Sequence, residues 1–334
     1  MPALLFALGV LLVAAILVGV SVGAIRIPLA TVWGVVANHL APGSVAVDWS
    51  PGWENIVWEV RFPRVILGAI VGAGLSLIGA TLQSVTRNPL SDPHLLGISS
   101  GAACGAILVL LHFGMFLGLA TVPIFAFGGA LIATVVVVGV AQATRSTDAS
   151  RLVLAGVAVS FIITSLSSLA IFLGDPRAAQ SVIFWMLGGL GLAQWSQLPY
   201  PLGALLICGV ILLFNARNLN AMTLGDESAT TLGIPAKRFR MVMFIVCALL
   251  TGAVVAFSGV ISFVGLMIPH FSRMIVGGDY RRLLPVSALL GAFFLIVADM
   301  VARIIIAPQD MPIGVITGLV GGAFFVMMLR RRKS

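Results

Sequence analysis

Charged residues are scarce in this sequence of 334 residues. Asp, Glu, Lys and Arg together make up 9% of the chain, hydrophobic residues make up 60%, and the mean hydropathy is +1.15. A soluble domain carries about 25% charged residues. No stretch is polar enough to cover a soluble domain, so the composition excludes a pair of soluble domains and favours a single transmembrane domain over residues 1–334.

Cysteine is also rare. The three cysteines, Cys104, Cys208 and Cys247, lie inside apolar runs at spacings far from any C-x-x-C pattern. These spacings indicate neither a disulfide framework nor a metal site, and we interpret the three thiols as packing residues.

The usual signatures of an enzyme are missing or lack their context. The chain has no G-x-x-x-x-G-K-[ST] sequence, so it does not bind ATP by that device, and any ATP that drives it must be hydrolysed by another chain. Residues 97–101, GISSG, match the nucleophile elbow of hydrolases, but a proline-rich loop precedes them where the elbow needs a strand. We therefore predict that this chain is not an enzyme.

What the sequence has in abundance is long apolar segments. A helix needs about 20 apolar residues to cross a bilayer core of about 30 Å. The run 241–276 would reach about 54 Å as one helix, so we expect it to break at Ser258–Gly259. The first segment has no basic region before it, and we interpret it as a retained helix and not a signal peptide. The predicted spans are 3–24, 63–84, 97–117, 120–142, 151–173, 199–215, 241–257, 259–276, 283–306 and 313–329.

The net charge of +8 fits a membrane protein better than a nucleic-acid-binding one. With ten spans and a cytoplasmic N-terminus, both termini are cytoplasmic and most of the 19 basic residues lie on the cytoplasmic side, as the positive-inside rule requires. We therefore expect an all-α membrane protein of ten transmembrane helices and no nucleic-acid partner. The basic residues left on the outer side are Arg26, Arg61, Arg64, Arg177 and Arg303.

Polar residues inside the spans suggest functional positions, each with a structural alternative. Asp299 and Arg303 are four residues apart on one helix face, and such a pair either serves function or only neutralises itself. Glycines repeat every four residues at Gly97, Gly101 and Gly105, which is typical of close helix packing. The fifth span carries a hydroxyl-rich face that either lines a pathway or bonds its own i−4 carbonyls: Ser160, Thr164, Ser165, Ser167 and Ser168.

The longest cytoplasmic loop, 218–240, contains a short helix with its own boundaries. Asp226 is a candidate N-cap, Gly233 suits the residue after the helix, and Pro235 prevents continuation. Such a helix is either a plain surface element or a knob that inserts into a partner.

Several motifs in order resemble the permease subunits of type II ABC importers, the iron-chelate and vitamin B12 uptake family. They cover nearly the whole chain. The matching stretches are RFPR at 61–64, GATLQSVTRNPLSDPHLLGISSGA at 79–102, FWMLGGL at 184–190, LGDESATTLGI at 224–234, GVISFVGLMIPHFSRMI at 259–275, RRLLPVSALLGA at 281–292, and ADMVARII to PIGVITGLVGGAFF within 298–325.

The resemblance implies a multi-pass permease of the bacterial cytoplasmic membrane. Its partners would be a second copy of the chain, two ATP-binding subunits that use ATP and Mg²⁺, and a periplasmic or lipid-anchored substrate-binding protein. The chain itself would need no cofactor and hold no metal.

The resemblance also implies roles for individual residues. In the family the loop after the second helix lines the cytoplasmic gate, the loop between helices six and seven docks on the ATPase, and outward arginines bind the binding protein. Carried over, the gate is Asn88, Pro89 and Leu90, the docking arginines are Arg61, Arg64 and Arg303, and the coupling segment near 224–234 comprises Gly225, Asp226, Glu227, Ser228, Ala229, Leu232 and Gly233.

The substrate is less sharply indicated. We expect a ferric siderophore first, haem second and vitamin B12 third, and His94, His270 and Met267 are isolated candidates for haem ligands. A self-contained secondary transporter is the rival class. It would need free carboxylates along its path, and only Asp299 qualifies.

Overall fold

The computed structural model describes residues 1–94, 96–143 and 149–331, without the side chains of 329–331. These residues form helices joined by loops. The α-helices are α1 (Pro2–Ser21), α2 (Leu29–Leu40), α3 (Pro51–Asn55), α4 (Phe62–Thr86), α5 (Ile98–Leu108), α6 (Thr121–Ala143), α7 (Ala149–Phe172), α8 (Ala179–Met186), α9 (Pro199–Phe214), α10 (Ala216–Thr223), α11 (Asp226–Thr231), α12 (Ala236–Ser258), α13 (Val264–Val276), α14 (Tyr280–Ile304) and α15 (Ile313–Arg331).

Each predicted span coincides with a helix, which confirms an all-α protein of many spans. Among the described residues six helices are long and apolar enough to cross a membrane, and a seventh candidate span results if α9 and α10, which meet at a 59° bend, are taken together. The helices over 98–113, 264–276 and 313–328 are apolar but shorter. By length and composition the structure therefore holds six or seven candidate spans.

The predicted break at Ser258–Gly259 is confirmed. Helix α12 ends at Ser258, and Gly259 has a positive φ of 64° that favours glycine. The following helix is shorter than expected, because α13 begins only at Val264. Its 13 residues rise about 20 Å, less than a bilayer core. At the break, a residue outside α12 and α13 supplies a hydrogen bond: the N–H of Gly189 donates to the carbonyl of Ser258 at 2.8 Å.

The outer segment before α4 differs from the prediction. Pro63 was expected to begin a helix, but the helical chain begins at Pro51, where the side chain of Ser50 accepts a hydrogen bond from the N–H of Trp53. It continues through a π-helical turn, Ile56–Arg61, into α4. This continuous helix of 36 residues is long enough to extend beyond the bilayer by about 20 Å.

Helix α4 is the centre of the fold. It is buried along nearly its whole length and packs against α14, α12, α13 and α9. Glycines allow two of these approaches, because a side chain at Gly72 would overlap the backbone of Gly291, and one at Gly79 would overlap the backbone of Gly265. The close packing predicted for Gly101 and Gly105 is confirmed in the same way, against α6.

Candidate functional site

The short helix α11, which was predicted in the longest cytoplasmic loop, has boundaries close to those predicted. Gly225, not Asp226, occupies the N-cap, where its φ of 113° requires glycine, so Asp226 is the first helical residue. The N–H groups of Gly233 and Ile234 donate to the carbonyls of Thr230 and Ala229, at 2.9 and 3.0 Å. This Schellman motif confirms the predicted stop at Gly233.

Helix α11 buries one small residue, Ala229, and exposes most of its other side chains. Ala229 is fully buried against Ala221, Met222 and Ala236. Glu227 and Ser228 are exposed, and exposed leucines lie on both sides of the helix, at Leu224 and Leu232. A polar helix flanked by two exposed leucines is suited to a partner that covers the leucines.

Asp226 joins α11 to the end of α4. Its Oδ1 accepts a hydrogen bond from Nη2 of Arg240 at 2.5 Å and lies 3.6 Å from Nη2 of Arg87. Arg240 is 1% exposed, and its Nε donates to the carbonyl of Val85 at 2.8 Å. The hydrogen bond from Arg240 is the main cause that lowers the pKa of Asp226 below its ordinary value. The carboxylate is therefore ionised at neutral pH.

The predicted gate residues form an irregular turn directly after Arg87. Arg87 ends α4 in the left-handed conformation, with φ 53°. The side-chain oxygen of Asn88 accepts from the N–H of Leu90 at 2.9 Å, which is an Asx turn. Pro89 and Leu90 are exposed, and the chain is buried again at Ser91. The turn itself is confirmed, and its role as a gate stays a prediction.

The hydroxyls of α7 divide between two surroundings. Ser165, Ser167 and Ser168 donate to the carbonyls four residues earlier, which is the structural alternative considered for this stripe. Thr164 and Ser165 are exposed, whereas Ser167 is buried. The Oγ of Ser160 is buried without a partner among the described residues, next to Gly97 at the end of the gate loop.

The three arginines expected on the outer surface are buried. Arg61, Arg64 and Arg303 are 4%, 7% and 4% exposed, so none of them projects from the surface as docking to a binding protein would require. Nε of Arg64 donates to Oδ1 of Asp299 at 2.8 Å, and Nη1 of Arg64 to Asp310 at 2.5 Å. The predicted pair of Arg303 with Asp299 is present at 3.0 Å. Buried charges need such partners, and here the partners lie within the chain.

Two of these arginines also bind the end of α1. Arg61 donates to the carbonyls of Val20, Ser21 and Ile25, and Arg303 donates to that of Val22 at 2.8 Å. The last carbonyls of a helix lack partners within the helix and carry partial negative charge, so guanidinium groups stabilise this end. The docking role of the three arginines stays a prediction.

A cavity of about 660 Å³ lies beside this ion cluster, and no sequence pattern predicted it. Helix α8 contributes to the lining of the cavity. This helix was not predicted, because its eight residues are too few to stand out as an apolar segment. Arg64 and Asp310 of the ion cluster also line the cavity. The polar and aromatic lining residues are Arg64, Arg177, Gln180, Ser181, Phe184, Trp185, Gln197, Phe257, Ser258 and Asp310.

Comparison with known proteins identifies the architecture. Residues 11–331 match the FecCD transport family. The chain is 35% identical to the hemin transport system permease protein HmuU of Yersinia pestis, over 97% of this chain and 94% of that protein. It is 39% identical to the vitamin B12 import system permease protein BtuC of Salmonella typhi, over 90% and 91%.

A solved structure is similar over the whole chain. It is described as an inward-facing conformation of an ABC transporter assigned to the metal-chelate type. The TM-score is 0.85 at 30% identity, with 99% of this chain and 100% of that chain covered.

The chain belongs to the FecCD transport family. It is a multi-pass membrane permease of a bacterial ABC importer, it is not itself an ATPase, and ATP is used by a partner ATPase. A permease of such an importer works with an ATPase and a substrate-binding protein. The resemblance seen in the motifs is thereby confirmed.

Proposed function

We propose that the chain is the permease of an importer for an iron chelate, a ferric siderophore or haem, with vitamin B12 as the third candidate. The observation that carries the importer mechanism is the ion contact between α11 and the end of α4, because it joins the expected ATPase contact to the expected gate. Relatives named for hemin and for vitamin B12 are similarly close to this chain, so their names alone do not select the substrate.

The outer cavity favours an organic chelate with anionic groups. Its walls combine aromatic surface from Phe184 and Trp185 with the exposed guanidinium of Arg177. A space of about 660 Å³ is within the range of about 300–1,000 Å³ typical of small-molecule sites. A carboxylate-bearing chelate would place its acid near Arg177 and its apolar part on the aromatic wall.

The topology we propose has ten crossings and cytoplasmic termini. Contacts among loops expected on one side support it. Asp226 meets Arg87, and the side-chain oxygen of Asn220 accepts from the N–H of Tyr280 at 2.8 Å. Three loops predicted to be cytoplasmic therefore meet at one end of the helices.

We also propose that two copies assemble around the pathway, each with its own ATP-binding subunit. Two glycines four residues apart, Gly318 and Gly322, support this arrangement. A side-chain carbon at either would meet no atom of the described residues within 4 Å, so α15 offers a smooth stripe to a second copy. In this arrangement Ser160, Thr164 and Ser167 would face the pathway and Asn88 to Leu90 would close it.

Coupling to ATP hydrolysis would occur at Gly225 to Gly233, and a periplasmic or lipid-anchored binding protein would deliver the chelate.

The rival, a self-contained secondary transporter, needs a carboxylate free to bind an ion. Asp299 does not offer one, because its carboxylate is buried between Arg64, which donates to Oδ1, and Arg303, whose Nε lies 3.0 Å from Oδ2. Uptake by liposomes containing the permease and its ATPase, tested with ferric siderophores, hemin and cobalamin, decides the substrate. Uptake that continues without ATP would instead support the rival.

A further inference from the structure

The end of α4 contacts α11, the helix of the coupling segment, at two neighbouring points. The first is the carbonyl of Val85, one residue before the helix ends, to which Arg240 donates. The second is the side chain of Arg87, the residue directly before the gate turn. Both guanidinium groups meet the same oxygen of Asp226, the first residue of α11.

The contact with Arg240 is the rigid half of this link. Arg240 is buried and lies in the first turns of α12, so its position is fixed by packing. Its hydrogen bonds to a carboxylate and to a helix-terminal carbonyl satisfy groups that would otherwise lack partners. A displacement of Asp226 therefore pulls on the end of α4 through a side chain that cannot swing freely.

The contact with Arg87 is the exposed and longer half of the link. Arg87 is exposed, and its left-handed backbone is uncommon for a residue other than glycine. The two segments are close neighbours, since a side-chain carbon at Gly225 would lie in contact with Nη1 of Arg87, at 3.4 Å. Release of this ion pair would free the residue that sets the direction of the chain into Asn88.

We propose that Asp226 is the positioning residue that transmits movement of the coupling helix to the gate, with Arg240 as its fixed anchor and Arg87 as its movable contact. The inference rests on the proposed roles of the coupling segment and the gate. It adds the route between them. Apart from Ala229, α11 buries no residue of its own, so this carboxylate is a main attachment of the helix to the membrane domain.

The test uses the permease–ATPase complex in liposomes. A cysteine replaces Leu90, and Cys104, Cys208 and Cys247 are replaced by alanine. Its reactivity with a water-soluble maleimide is measured with and without ATP. Asp226→Asn keeps the size of the side chain and removes its charge, Arg87→Gln removes the movable contact, and Asp226→Glu restores the charge. Arg281→Gln is the matched control, because Arg281 also pairs with an aspartate, Asp279, on the cytoplasmic side but does not touch the gate.

We expect uptake by Asp226→Asn to fall at least tenfold and the reactivity at position 90 no longer to depend on ATP, with co-purification of the ATPase measured alongside. Arg87→Gln should show the same pattern. Uptake by the variant that combines Asp226→Asn with Arg87→Gln should be no lower than uptake by either single variant. Asp226→Glu should recover part of the uptake. Arg281→Gln should behave as the parent.

The proposal is overturned if Arg87→Gln or Asp226→Asn retains both uptake and the ATP-dependent change at position 90. It is also overturned if Asp226→Asn loses the ATPase, because the carboxylate would then serve docking. A failure of the proposed function is distinguishable: the parent complex itself would show no ATP-dependent change at position 90.

Discussion

Asp299 lies between two arginines, with Nε of Arg64 2.8 Å from its Oδ1 and Nε of Arg303 3.0 Å from its Oδ2. Arg303 is one helical turn away, whereas Arg64 is 235 positions away in the sequence. The Arg64–Asp299 pair therefore links α4 to α14, and these two helices share the most extensive contact in the described part of the fold.

Replacement of Asp299 by asparagine should destabilise the protein strongly. It leaves the buried guanidinium of Arg303 without a carboxylate and Arg64 with Asp310 alone, and breaking a buried ion pair costs about 3–5 kcal/mol. Thermal unfolding of the purified protein in detergent measures the effect. Asp310→Asn is the control, because Asp310 is half-exposed and its loss leaves Arg64 paired with the buried Asp299. Equal unfolding temperatures for the two variants would contradict the assignment.

The ion cluster shows which contacts a sequence can predict. The Asp299–Arg303 pair was predictable because four residues make one helical turn, and the break at Gly259 was predictable because the apolar run was too long for one crossing. The contact of Arg64 with Asp299 depends on how α4 and α14 pack, and no local pattern encodes it. For the same reason Arg64 was wrongly expected to be exposed.

Short and amphipathic elements were missed for a different reason. Helix α2 and helix α8 have neither the length nor the continuous apolar character of a span. Their positions depend on the helices beneath them. The boundaries of α11 were nearly right because glycine and proline act locally, while the partners of Asp226 became evident only in three dimensions.

A large residue at position 229 should disconnect the ATPase from transport. Ala229 is fully buried in a cluster of small residues, so Ala229→Trp must push α11 out of place. We expect normal membrane insertion, loss of ATPase co-purification and uptake reduced at least tenfold. The control is Gly278→Trp, at an exposed cytoplasmic position where added atoms meet open space among the described residues. Normal co-purification and uptake in Ala229→Trp would count against the coupling assignment.

Two glycine substitutions should change stability in opposite directions. In Gly79→Ala the new methyl group overlaps the backbone of Gly265, and overpacking of this kind costs about 1–3 kcal/mol. Gly139 lies on an exposed face of α6 where a methyl group meets none of the described atoms, so Gly139→Ala should stabilise the helix by about 0.5–1 kcal/mol. Unfolding temperatures in detergent test both. A more stable Gly79→Ala would refute the close approach of α4 and α13.

The link at Asp226 should be insensitive to pH over the physiological range. Its pKa lies below the ordinary value, chiefly because of the hydrogen bond from Arg240. A carboxyl whose pKa is lowered on folding stabilises the folded state above its unfolded pKa of about 3.9, and that stabilisation is lost as pH falls through the lower folded value. Cysteine labelling itself slows at low pH because the thiolate is the reactive form, so the ratio of the labelling rates with and without ATP is the quantity to compare. This ratio should be the same at pH 8 and at pH 5. A loss of the ATP effect between these values would show that another group controls the gate.

The exposed outer arginines, Arg26 and Arg177, should contribute more to capture of the binding protein than the buried Arg61. Steering of a charged partner requires charge at the surface, and it weakens with salt because screening acts over about 8–10 Å. Arg26 and Arg177 are exposed, whereas Arg61 is engaged by the carbonyls at the end of α1. Charge reversal, Arg26→Glu with Arg177→Glu, should slow association at low salt several-fold and leave the unfolding temperature nearly unchanged.

Arg61→Gln should do the opposite. It removes the N–H donors that bond the carbonyls at the end of α1, so the unfolding temperature should fall. The folded fraction should still capture the binding protein at the parent rate. Association rates at low and high salt, measured on the permease in lipid nanodiscs, separate the two effects. If Arg61→Gln alone abolishes salt-sensitive capture without loss of stability, Arg61 must leave its present partners to reach the binding protein, and the docking role predicted from the family motif is the correct one.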